Sequence, residues 1–168
     1  MKNTIMLEVI NQLGYDFKKF DLQNFIDHIQ HRRQRDIILV PAVFGYELSA
    51  VWVRAETADY AFYNTTHHPI HQTHSILHEL AHITLEHSCV PIDDILPAEL
   101  LAELDISNPI GRPRIATPLF KDSEEERAAE EFVYVIQQQV INANRLEQLI
   151  AQGSSNKVLN KYVSGMVK

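Results

Sequence analysis

A chain with one cysteine cannot close a disulfide within itself, and Cys89 is the only cysteine in these 168 residues. That argues against a disulfide-stapled scaffold and suits a reducing compartment. With no cysteine–histidine arrangement suggesting catalysis, Cys89 reads as a small packed residue at a helix end rather than a nucleophile or metal ligand. Basic charge is also scarce: 15 Lys and Arg stand against 22 Asp and Glu, for a formal net charge of -7. A nucleic-acid binder needs a basic surface to neutralise phosphates, so direct binding to DNA or RNA is not expected. The one basic cluster, His31-Arg32-Arg33-Gln34-Arg35, is too short to reverse that. No apolar run approaches membrane-spanning length, and the start, Met1 to Glu8, turns acidic too early for a signal peptide. A cytoplasmic protein without membrane partners is the expectation.

What is present is an ordinary globular composition, 45% apolar and 22% charged, over a length that suits one domain, 1–168, with a continuous core. Ile5, Met6, Val9, Ile10 and Leu13 recur at helical spacing before Gly14, and a second helix is expected from near Asp21 through Leu22, Phe25, Ile26 and Ile29. These form the N-terminal part, 1–35. The period then changes. Asp36 to Pro41, Ser49 to Arg54 and Tyr60 to Asn64 are β-branched and aromatic runs separated by turn residues, and predict a small, mostly antiparallel three-stranded sheet over 36–64. A long helix over 69–87 opens at Pro69, a residue suited to a first helical position. Five of the seven prolines fall between Ser88 and Asp122, so 88–122 reads as a connection with a short helix about Ala98 to Leu104 and an irregular loop over Asn108 to Pro113. A further helix is expected over 123–144, packed through Ala129, Phe132, Val133, Ile136, Val140 and Ala143, followed by a C-terminal helical tail over 145–168. The fold class is therefore α+β, with the sheet packed against the 69–87 helix.

That helix carries the chemistry. It contains His78-Glu79-Leu80-Ala81-His82, the pattern H-E-x-x-H. Histidines four apart lie on one helical face a turn apart, so their nitrogens can converge on one metal ion, and Glu79 is left to act on water. His71 and His74 share the stripe, but the helix turn carries them away from an ion held by His78 and His82, which leaves them as cleft lining, a second weak site or solvated histidines of the helix start. A catalytic zinc takes three protein ligands and keeps one position open. The extended pattern ending in a third histidine fails here, because Leu85 and Ser88 stand where its glycine and histidine belong. The remaining source is a glutamate at the acidic start of the 123–144 helix. Glu124 and Glu131 point away from the packing stripe, Glu125 and Glu126 flank it, and Glu130 is marginal; periodicity does not choose between Glu125 and Glu126. Ser123-x-x-Glu126 also reads as a capping box, a purely local reason for the same glutamate.

The order of an N-terminal α/β region, an H-E-x-x-H helix followed by Leu85 and His87, and a downstream Glu126-x-x-Ala129-x-x-Phe132 resembles the ImmA/IrrE family of metallopeptidases, with Asn64 in the family's usual run-in to the helix. The resemblance spans about residues 36–140. It implies a gluzincin-type (zincin-like) fold, one Zn2+ held by His78, His82 and Glu126, and Glu79 as the catalytic base. It also implies hydrolysis of a peptide bond in a protein substrate, typically a helix-turn-helix repressor of stress-response or mobile-element and toxin–antitoxin genes. The chain departs from the family around His71 to His74, where a basic stretch is common, at Ala129-Glu130 and Val133, where an alanine-asparagine pair and a small residue are usual, and after Ile136, where the usual Leu-Met-Pro ending is absent; these departures bear on substrate choice and the rim of the site. Tyr134, His74, His87 and Tyr63 are candidate donors to an oxyanion, with His87 better suited to supporting the helix end. The rival expectation is a catalytically silent zinc-stabilised domain that senses a signal or binds a regulator.

Overall fold

The computed structural model describes residues 2–115 and 123–153. Helix α1 spans Lys2–Asn11, a short 3-10 turn spans Phe17–Lys19, and α2 spans Leu22–Arg33. Helix α2 begins where a capping residue demands it, because Asp21 accepts a hydrogen bond from the backbone N–H of Asn24. It stops at Gln34, which adopts the left-handed conformation and sends its N–H back to the last turn. Strands β1 (Asp36–Ala42), β2 (Leu48–Arg54) and β3 (Ala58–Asn64) follow, then α3 (Pro69–Thr84), β4 (Val90–Pro91), α4 (Ala98–Glu103), β5 (Ile110–Ile115) and α5 (Glu124–Gly153).

The architecture is α+β with a five-stranded mixed sheet in the order β1-β3-β2-β5-β4. Two features correct the expectation of a small three-stranded sheet. Strands β4 and β5 come from the proline-rich connection, where Asn108 to Pro113 reads as an irregular loop. The reason is local: β4 pairs only with Gly111 and Ile110, so the backbone of β5 beyond Gly111 has no described strand on that side, and Pro113 sits where a missing N–H costs least. Also, β1 runs parallel to β3, which returns between β1 and β2 after the antiparallel β2–β3 hairpin. The helix that follows the capping serine continues without a break from Glu124 to Gly153 rather than ending near Asn144, while the 69–87 helix is shorter than expected, ending at Thr84 with Leu85 as its cap. Part of the expected C-terminal tail, 154–168, and the end of the connection, 116–122, lie outside the described residues.

Both sheet faces are covered. Strand alternation sends Trp52, Ile37, Leu39 and Tyr63 into a core shared with α1, α2, α3 and α5, where Ile10, Phe25, Ile26, Leu80, Ile83, Phe132 and Ile136 are buried. Val51, Val53, Tyr60 and Phe62 face the other way, onto Ile92, Leu96 and Leu101 from the connection. At roughly 1.5–3 kcal/mol for each fully buried large apolar side chain, these contacts far outweigh any single polar interaction. Helix α3 touches β2, β3, α2 and α5, and every residue from Ser75 to Ile83 is buried. A helix apolar on most sides must be covered on most sides. One buried charge holds the far end of the sheet: the Asp59 carboxylate accepts from Arg33 Nη1, Arg35 Nε and the Trp52 indole, each at 2.9 Å.

The approach of β5 to β2 depends on Gly111. A Cβ there would stand 2.0 Å from the Trp52 carbonyl oxygen and 2.9 Å from Ile92 Cδ1. Gly111→Ala is therefore expected to lower unfolding free energy by at least the upper end of the roughly 1–3 kcal/mol typical of overpacking. Urea denaturation measures it, and a midpoint equal to that of the native chain would show that the strands can separate without cost.

Candidate metal centre

Three side chains from two helices meet between the C-terminal half of α3 and the first turns of α5. His82 Nε2 lies 2.9 Å from His78 Nε2, Glu126 Oε2 lies 3.0 Å from His78 Nε2, and Glu126 Oε1 lies 3.3 Å from His82 Nε2. Among the described residues this is the one group of three or more His, Cys, Asp or Glu side chains whose ligand atoms crowd closely enough to hold a metal ion. The spacing fits the chemistry. Four-coordinate zinc with bonds of about 2.0–2.1 Å places neighbouring donors roughly 3.3 Å apart, and two imidazoles with a carboxylate are donors zinc accepts. His78 and His82 are each 1% exposed, and α3 presents them on the face covered by α5.

The three candidate glutamates of α5 separate by what they touch. Glu126 reaches His78 and His82, and its Oε1 also accepts from Arg112 Nε at 2.8 Å. Only half of the capping box forms: the Glu126 N–H donates to Ser123 Oγ at 3.1 Å, while the glutamate side chain is engaged with the histidines and Arg112. Glu125 turns to the chain beyond α3, accepting from the Ser88 N–H at 2.7 Å and the Ser88 hydroxyl at 2.6 Å. Glu130 sits behind His78. Its Oε1 is 2.7 Å from His78 Nδ1, a close charge contact rather than an aligned hydrogen bond, and it accepts from Arg114 Nη2 at 3.1 Å. His82 Nδ1 is likewise backed, by His87 Nδ1 at 2.7 Å. Support of this kind at the far nitrogen fixes ring orientation and leaves Nε2 for a ligand bond.

Burial and neighbours set the protonation states. Burial pushes the Glu79 carboxyl up to about 7, against the opposing charges of His78 and Arg114. Both of its oxygens are buried, with no hydrogen-bond partner among the described residues. Burial takes His82 down to about 4, in the direction of the neutral imidazole that a metal requires. For His78 burial acts the same way, but the carboxylates of Glu126 and Glu130 more than reverse it and raise it above its ordinary value. Burial would raise Glu126 too; contacts with His78, His82 and Arg112 prevail and hold it well below the usual carboxylate range. Cys89 is half-buried and its thiol is pushed up to about 11 by that burial, which fits a packed residue rather than a ligand or nucleophile.

The remaining sequence candidates scatter. His71 and His74 line an open cleft of about 750 Å³ with His67, His68, Tyr46 and Arg114, and His74 Nε2 is 3.3 Å from Glu130 Oε2. Asn64 is buried at the end of β3, donating to the carbonyls of Leu48 and Gly45 and accepting from Thr66 N, and so fixes the turn that leads to this cleft. Tyr134 is 52% exposed on α5, and Tyr63 packs against the helix-side core. Sequence reasoning missed Arg112 and Arg114. Their signal was the spacing of two arginines in Ile110-Gly111-Arg112-Pro113-Arg114-Ile115, which places both on one face once that stretch is read as a strand.

The Glu79 carboxylate makes the chelator-treated protein sensitive to pH. Its folded value lies above its unfolded one, so the folded state binds the extra proton; stability is retained below about pH 4.5 and lost as pH rises through about 7. Removing that charge with Glu79→Gln is expected to stabilise the metal-free chain at pH 8 by up to about 3 kcal/mol, with the gain fading towards pH 4.5. Urea titrations of both chains at the two pH values measure the difference; a constant offset would mean that the carboxylate is solvated. Comparison of the chain with protein-family models, with curated proteins and with solved structures finds no match.

Proposed function

We propose that this protein is a zinc-dependent endopeptidase of the ImmA/IrrE type, acting in the cytoplasm on a protein substrate such as a helix-turn-helix transcriptional repressor. The observation that carries the reading is the meeting of His78 and His82 with Glu126, a glutamate from a separate helix, beside a buried glutamate that ligates nothing. A purely structural metal site has no use for a carboxylate at position 79.

In this reading His78, His82 and Glu126 hold the zinc. The ion supplies Lewis acidity, bringing the pKa of water towards about 7 and polarising the scissile carbonyl. Glu79 is the general base: it takes the proton from the attacking water and passes it to the leaving amine. Burial raises the Glu79 carboxyl to about 7 in the metal-free site, and a bound cation would lower it from there towards the ionised form that accepts a proton. Glu130 and His87 keep the two imidazoles oriented, and the neighbouring histidine-lined cleft is a place for substrate side chains. Support for the reading also comes from what the other carboxylates do, because Glu125 is committed to Ser88 and Glu130 meets His78 only at Nδ1, behind the ring, while accepting from Arg114.

The test is paired measurement of bound zinc and of cleavage, using a helix-turn-helix repressor encoded beside this chain and a quenched-fluorescent peptide library. Glu79→Gln is expected to keep zinc and lose at least about 100-fold in cleavage rate. Glu126→Ala is expected to lose zinc and cleavage together. Unchanged cleavage in Glu79→Gln would sink the peptidase reading, and zinc binding by an inactive native chain would favour the silent sensor domain in its place.

A further inference from the structure

We infer that Arg112 is the positioning residue that makes Glu126 a one-oxygen metal ligand. The inference rests on the metal reading above and names the device by which that site would keep a coordination position open. Arg112 lies on β5 opposite Trp52 and is 1% exposed, one of the largest fully buried side chains described. Its guanidinium grips a single oxygen of the glutamate: Nε and Nη2 both lie 2.8 Å from Glu126 Oε1. The other oxygen, Oε2, is the one nearest His78 Nε2, at 3.0 Å. Oε1 takes the Nε–H hydrogen bond and the Nη2 charge contact and also lies 3.3 Å from His82 Nε2, so little of its electron density is left for a metal, whereas Oε2 carries no guanidinium contact and faces His78.

The rest of the guanidinium ties down the pieces that place Glu126. Nη1 donates to the Ser88 carbonyl at 3.1 Å and to Glu125 Oε2 at 3.2 Å, and Nη2 reaches Ser123 Oγ at 3.3 Å. The same hydroxyl accepts from the Glu126 N–H. One side chain therefore registers the segment beyond α3, the start of α5 and the carboxylate of Glu126 against β5. Carboxylates bind a metal through one oxygen or two, and a free one can rotate into either mode. With Oε1 held, the zinc would have His78, His82 and Oε2 as three donors, the number that leaves a position for a reacting group. Lysine, a point charge without the planar fork, could keep the positive charge near Glu126 but could not hold one oxygen with two N–H groups in a fixed plane.

The experiment measures metal binding rather than turnover. Zinc affinity is determined by chelator competition, and the cobalt-substituted protein is examined by visible absorption, for the native chain, Arg112→Lys and Arg112→Met. Loss of an outer hydrogen-bond partner typically weakens metal binding by about 10–100-fold. Both variants are expected to fall in that range, and their cobalt bands are expected to weaken as the freed carboxylate binds through both oxygens and raises the coordination number. A merely structural arginine would lower the melting temperature without moving the cobalt spectrum. If Arg112→Met does not fold, Arg112→Lys alone decides. Native-like zinc affinity and cobalt bands in Arg112→Lys would overturn this inference and leave the metal reading standing. A native chain that binds neither zinc nor cobalt would overturn both.

Discussion

The site depends on one contact between a strand and a helix, the buried guanidinium of Arg112 on the carboxylate of Glu126. Such a pair has no favourable way to come apart while buried, because either charge left alone would carry a desolvation cost of several kcal/mol. Its partners extend the constraint. Ser88, just beyond the H-E-x-x-H helix, is held through its carbonyl by Arg112 and through its N–H and hydroxyl by Glu125. Strand β5, the end of α3 and the start of α5 are thus fixed to one another around a few atoms. Gly111 is the backbone condition for this arrangement, since β5 can lie close enough to β2 only where no Cβ meets the Trp52 carbonyl.

The parts of this arrangement legible in the amino-acid sequence are those written in short-range periodicity. Two histidines four apart announce a candidate metal site because a helix of 3.6 residues per turn stacks them, and the apolar residues from Ile76 to Ile83 announce a helix covered on most sides. Glu125 and Glu126 could not be separated in that way. They are adjacent, both flank the packing stripe, and a serine three residues ahead gives Glu126 a capping role that looks self-sufficient. What separates them is long-range: Ser88 draws Glu125 one way, and the two histidines with Arg112 draw Glu126 the other. The same limit hid β5. Pro109, Gly111 and Pro113 carry strong local breaker signals, and only the pairing with β2, remote in sequence, makes a strand of them. The parallel β1–β3 pairing was hidden for a related reason, because nothing within β1 says that the third strand will return between it and the second.

A second buried charge shows that a buried ion pair by itself does not mark a site. Asp59 is wholly buried, held by two arginines and an indole: each of its oxygens accepts from a fixed cation or N–H, and among the described residues it joins no group able to hold a metal. Its partners Arg33 and Arg35 belong to the cluster that composition alone would flag as a basic patch. In the fold they are committed inward, and Arg35 also donates to the carbonyls of Ala58 and Glu56. The cluster around Glu126 differs in kind, because it brings together groups that compete for protons.

The balance of charge around the triad is the last physical argument for a divalent ion. Glu79, Glu125, Glu126 and Glu130 bring four carboxylates to the region, and Arg112 and Arg114 bring two guanidiniums, so the fixed charges leave an excess of two negatives when every carboxyl is ionised. Protons are one way to meet that excess, and the directions of shift follow it: Glu79 is pushed up to about 7 and His78 is raised, while contacts with His78, His82 and Arg112 hold Glu126 ionised. A divalent cation between His78, His82 and Glu126 is the other way. It needs neutral imidazoles, and burial already drives His82 towards that form. It would also depress Glu79 from the proton-bound towards the proton-accepting state, because a positive ion nearby favours the carboxylate. In the proposed reading metal and base would be coupled: the ion that would activate water would also leave Glu79 free to take its proton.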